Sequence, residues 1–154
     1  CQQLLTEQYP NARAIIDCGA LFTGIENREV AKVIATRLRS TDHASFRKVK
    51  YVLFYQDGGW VALSTDGENK HVVLNSTKQG YLDKQLQCNA SERFTYYSQP
   101  ECEGVDIDQM HGDSPESSAL GITTVYSSTT LEKYAQANMR MRKLKERQSI
   151  LIVR

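Results

Sequence analysis

Four long amide or basic side chains crowd together near the end of the chain: Gln136, Arg140, Arg142 and Lys143, in the stretch QANMRMRK. Helical spacing of three and four residues puts Lys133, Gln136, Arg140 and Lys143 on one stripe. An arginine fork is permanently charged and can bond two oxygens of one anionic group at once. Cations at a helix end also complement the helix dipole without any ligand. Upstream, Glu103-Gly104-Val105-Asp106-Ile107 places a glycine, where the backbone can turn sharply, two residues before a carboxylate able to hold a loop. Cys18, before Gly19, is the best-placed thiol for nucleophilic work, with His43, His71 and His111 as the only imidazoles that could activate it. Cys88, Cys102 and His111 could be drawn as a zinc set. The four cysteines (Cys1, Cys18, Cys88, Cys102) hold no C-x-x-C, however, and free thiols in a reducing cytosol are the simpler reading.

The elements that must position these residues follow from periodicity. Thr129 and Glu132 form a capping box, so a helix begins at about Thr130. Leu131, Tyr134, Ala135, Asn138 and Met141 make its packed face. After a polar turn at Lys145 to Gln148, Ser149–Val153 is apolar without alternation, as in a parallel strand covered on both sides. Near the start, Ala12 to Cys18 is a strand, and Gly19 and Gly24 bracket a loop into a helix from Asn27 to about Arg39, packed through Val30, Val33, Ile34 and Leu38. Val49 to Tyr55, Trp60 to Ser64 and His71 to Leu74 are strands joined at Asp57-Gly58-Gly59 and Asp66-Gly67, a small antiparallel extension at the sheet edge. Asn75 to Glu92 is polar, lacks a period and reads as a long connection. Phe94 to Tyr97 and Ala119 to Tyr126 are strands, with a loop at His111 to Ser118. The alternation of strands and helices predicts an α/β three-layer sandwich around a mostly parallel sheet, with right-handed crossovers and a ligand site at the carboxyl ends of the strands.

Composition adds bounds. The 154 residues suit one domain, residues 12–154, preceded by a tail or linker over residues 1–11 that Pro10 closes. Nineteen basic against eighteen acidic residues give a net charge of +1 and no global attraction to nucleic acid. No apolar run reaches membrane-spanning length, and no signal peptide is visible, so a cytoplasmic protein with no membrane partner is expected. The opening on Cys1 in mid-sequence reads as a piece of something longer.

Gln136-Ala-Asn-Met-Arg140-Met-Arg142-Lys143 resembles the last motif of superfamily-two helicases, Q-x-x-G-R-x-G-R, and Glu103 to Ile107 resembles the preceding motif, R-G-x-D. More narrowly, QANMRMRKLKERQSILIV and IIDCGALFTGIENREVAKVI are similar to the helicase-like C-terminal region of very large multidomain proteins often grouped with ubiquitin thioesterases. The similarity covers most of residues 12–153. It implies a second RecA-like domain, in which Arg140 and Lys143 assist catalysis and Gly104, Asp106, Gln136 and Arg142 line a nucleotide held by a preceding RecA-like domain. ATP with magnesium is implied only where that upstream domain carries a phosphate loop, and the substrate moved could be nucleic acid or protein. Met139 and Arg142 stand where the motif has glycines, Lys143 replaces its second arginine, and Glu103 replaces its basic residue. Because G-x-x-x-x-G-K-[ST] is absent, the isolated domain is expected to be inert toward ATP. The resemblance leaves two other readings: a nucleotide-inactive scaffold or protein-interaction domain, and part of a ubiquitin thioesterase-like cysteine hydrolase using Cys18.

Overall fold

A computed structural model describes residues 8–102, 107, 109–110, 113, 117–141, 144 and 146–154. Among these residues, one sheet has the order β4-β3-β2-β5-β1-β6-β7. The strands are β1 (Ala12–Ile16), β2 (Tyr51–Gln56), β3 (Gly59–Ser64), β4 (His71–Val73), β5 (Arg93–Tyr97), β6 (Leu120–Thr124) and β7 (Ser149–Val153). All neighbouring pairs from β2 to β7 are parallel, and only β3 runs against its neighbours. Helices α1 (Asn27–Ser40) and α2 (Ala44–Arg47) cover one face, and α3 (Gln79–Leu86) and α4 (Leu131–Asn138) cover the other. The expected three-layer sandwich with an antiparallel edge is therefore present.

Both faces of the central strands are apolar because both are covered. Ile15 packs in a cluster with Val30, Ile34 and Leu38 of α1, whereas Ala14 and Ile16 belong to a second cluster with Leu82 and Leu86 of α3 and Ala137 of α4. In α1 the buried stripe is Val30, Ala31, Ile34, Ala35 and Leu38, so Val33, expected on the packed face, is instead off the stripe and 49% exposed. Where β1 pairs with β6 the register shifts between Ala12 and Ala14. The intervening Arg13 is buried, donating to the carbonyls of Pro10, Ala12, Ser45 and Ser91 and to Ser45 Oγ over 2.7–3.1 Å. All five acceptors are neutral, and burial lowers its pKa to about 10. Asp57 (φ 51°) and Gly58 (φ 83°) form the two-residue turn between β2 and β3, both in the left-handed region that matches strand twist in hairpins.

Three further expectations need correction. Asn75 to Glu92 is not an unstructured connection: it holds α3, seated by the buried pair Leu82 and Leu86 one helical turn apart, and a 3-10 turn over Ala90–Glu92. In that turn Asn89 Oδ1 accepts from Ser91 N at 2.9 Å and Glu92 Oε2 accepts from Asn89 N at 3.0 Å. β7 is an edge strand, half exposed, rather than covered on both sides. An apolar run records hydrophobicity, not the number of neighbours. The cap of α4 is Thr130, whose Oγ1 accepts from Lys133 N at 3.3 Å, while Thr129 Oγ1 accepts instead from Tyr126 N at 2.9 Å. Of the expected packed face, Asn138 and Met141 turn inward together with Ala137, whereas Ala135 is exposed and Leu131 is 82% exposed. No described helix is long and apolar enough to cross a membrane.

Candidate functional site at the carboxyl rim of the sheet

The chain leaves β1 through α1 toward β2, and leaves β6 through α4 toward β7, in opposite directions along the sheet. The neighbours β1 and β6 therefore form the switch point where doubly wound folds take their ligands. Here that crevice is filled by the protein. Asp17, 2% exposed at the end of β1, accepts from Thr124 Oγ1 at 2.6 Å and Leu21 N at 2.8 Å through Oδ1, and from Phe22 N at 3.0 Å through Oδ2. Thr124 Oγ1 in turn accepts from Gly19 N at 3.1 Å. A Cβ on Gly19 would lie 2.8 Å from the Val125 carbonyl carbon, so only glycine lets the two loops touch through their backbones. The amide a phosphate would seek is already committed. The described residues at this point do not fit a nucleotide.

The rim opens on either side. Toward β2, Asn27 Nδ2 ties Tyr55 O (2.8 Å) to Ser98 Oγ (3.1 Å) beside a cavity of about 320 Å³ lined by Glu26, Asn27, Tyr55, Gln56 and Asp57. Toward β7, a cavity of about 720 Å³ is walled by Tyr126, Leu131, Tyr134 and Ile152, with Thr130 and Arg154 at its polar margin.

The motif residues divide into placed and unplaced. Gly104, Asp106, Arg142 and Lys143 lie outside the described residues, as do His111 and the side chain of Cys102. Gln136 is half-buried on α4. This helix packs against the 3-10 turn Gln99–Cys102, which follows β5 at the rim and ends one residue before Glu103. The helix stops at Asn138, and the next bonds, Arg140 N to Ala137 O (3.1 Å) and Met141 N to Asn138 O (3.0 Å), are of the tighter i to i+3 kind. Arg140 therefore lies past the end of the helix, in this tighter turn, and is 9% exposed. Its level is fixed on both sides: Asn138 Oδ1 accepts from Thr123 Oγ1 at 2.7 Å, and Met141 fills the space above Gly121, where a Cβ would lie 2.9 Å from the Met141 side chain.

Cys18 is buried, and the described imidazoles do not approach it. His43 caps α2, its Nδ1 accepting from Ser45 N at 3.2 Å, at the end of the sheet where β1 begins. His71 is on β4, with β3, β2 and β5 between it and β1, which at usual strand spacing is about 19 Å. Cys88 is buried and its thiol pKa is pushed up by that burial. Among the described residues no group of three metal-ligating side chains occurs. Sequence reasoning missed Asp17 and Thr124; the only signal was an Asp at a strand end ahead of a Cys-Gly turn. No family model, curated protein or solved structure matches this chain.

Proposed function

We propose that this chain is the second RecA-like domain of a larger helicase-like, nucleotide-dependent protein, supplying Arg140 and its basic neighbours to ATP and magnesium held by a preceding domain. The observation that carries this reading is the packing of α4 on the turn Gln99–Cys102, because it draws the helix leading to Arg140 toward the segment that continues into Gly104 and Asp106. The filled crevice at Asp17 and Thr124 agrees with a nucleotide held elsewhere. In the full-length protein, Arg140→Ala is expected to lower nucleotide turnover about a thousandfold or more, as for a transition-state arginine. The burial of Arg140 favours a second reading, a nucleotide-inactive scaffold within the same large protein. Turnover unchanged by Arg140→Ala, or no turnover at all, would leave the scaffold as the function.

A further inference from the structure

The outer edge of β7 leaves both backbone groups and apolar side chains without cover. Ser149 N donates to Ala119 O at 3.3 Å, and Val153 O accepts from Val125 N at 2.9 Å. In a parallel ladder the amide and carbonyl of one residue point to the same side, and those of the next residue to the other. Ser149, Leu151 and Val153 therefore turn their backbone groups to β6, opposite Leu120, Ile122 and Thr124. The amides and carbonyls of Ile150 and Ile152 point outward, where among the described residues no further strand lies. Natural sheet edges are blunted by short length, charge or proline. The opposite edge, β4, is three residues long and follows Lys70, whereas Ser149–Val153 is five residues without charge or proline. Side chains extend the same surface. Ile152 is half exposed and walls the cavity of about 720 Å³ with Tyr134, and Tyr126 and Leu131 beside it are more than two-thirds exposed.

We infer that β7 pairs with β7 of a second copy of this chain, antiparallel about a twofold axis at Leu151. In that register Ile150 of each copy lies opposite Ile152 of the other, and these are the residues whose backbone groups point outward. Each such pair exchanges two N–H···O=C bonds, so four bonds satisfy every outward group of both strands. The axis stands perpendicular to the sheet, so Ile150 of one copy also covers Ile152 of the other on the face that carries α4. The strand is thus complementary to itself in bonding and in side chains, as a twofold contact requires. An edge of five residues buries less than about 1,200 Å² in the pair, the size of weak, reversible interfaces, so dissociation in the micromolar range is expected. The pairing is independent of the nucleotide reading. The test is sedimentation equilibrium of the 154-residue chain from about 1 µM to 1 mM, beside Ile152→Lys and Ile152→Pro, with melting of each at the dilute end. Monomer and dimer should exchange, with nothing larger, because pairing consumes the edge. Ile152→Lys sets a charge in the apolar contact, and Ile152→Pro removes an outward amide but no bond to β6. Each should weaken the dimer at least about tenfold in a chain that still melts cooperatively. Amide exchange needs no variant: Ile150 and Ile152 should slow as concentration rises, whereas Leu151 and Val153 stay slow throughout. A chain still monomeric at the highest concentration overturns the inference and leaves the edge to a strand of another protein. Open-ended association, a dimer that both variants leave intact, or exchange at Ile150 and Ile152 that ignores concentration overturns it equally.

Discussion

At the scale of single residues, the chain spends its buried polar side chains on holding loops. Asp17 gathers two loop amides and the Thr124 hydroxyl, and Arg13 gathers five neutral acceptors at the opposite end of the same strand. Neither pattern resembles a group poised for chemistry, since each has its bonds already made in the resting fold. His71 is the residue whose ionisation should be felt. Burial, then the charges of Arg28 and Lys32 on α1, lower its pKa below the ordinary imidazole value, and its ring sits edge-on to Phe54. The unfolded chain therefore takes up this proton more readily than the folded one. Stability contributed by neutral His71 is complete above the unfolded value of about 6.5 and falls as pH drops below it. Urea midpoints measured from pH 7.5 to 5.5 should decline, and His71→Phe should flatten that decline; an equal slope in both proteins would show that His71 is not the cause.

At the scale of elements, α4 shows how much one capping residue decides. Thr130→Ala should cost about 1 kcal/mol of stability. Thr129→Ala, which removes an exposed turn bond and no cap, should cost under about half a kcal/mol. Chemical denaturation of the two variants checks this, and the reverse ranking would restore the start that Thr129 and Glu132 suggest. The inward face was only partly legible: Asn138 and Met141 were read correctly, whereas Leu131 and Ala135 are exposed. The helix α1 and the Asp57-Gly58 hairpin were plain in the sequence because a strong period and a turn that demands positive φ are local signals. α3 was not plain, since two leucines in a polar stretch containing Gly80 give no period, and its seating comes from strands distant in the chain. The edge position of β7 could not be read from its own residues, because only the sheet order reveals it. At the candidate site, Gln136 and Arg140 stand out in the sequence by residue type and spacing, whereas Asp17 and Thr124 pair only through a contact 107 residues apart in sequence.

At the scale of the molecule, the doubly wound sheet has its usual ligand position closed and its motif helix brought against the rim beside it. That combination suits a domain that completes a site held by another rather than one that holds a nucleotide itself. On the proposed reading, residues 1–154 alone should not turn over ATP, and a preceding domain would organise the phosphates. The most direct test is amide exchange of α4 in the full-length protein and in residues 1–154, each with and without a saturating non-hydrolysable ATP analogue. Helix amides near the site exchange by local opening, so contact with a bound nucleotide should slow them measurably. The account predicts slower exchange at Gln136 to Met141 in the full-length protein with the analogue, by about tenfold, and no change in the isolated domain. Identical exchange in the full-length protein with and without the analogue, while the analogue is bound upstream, would contradict it.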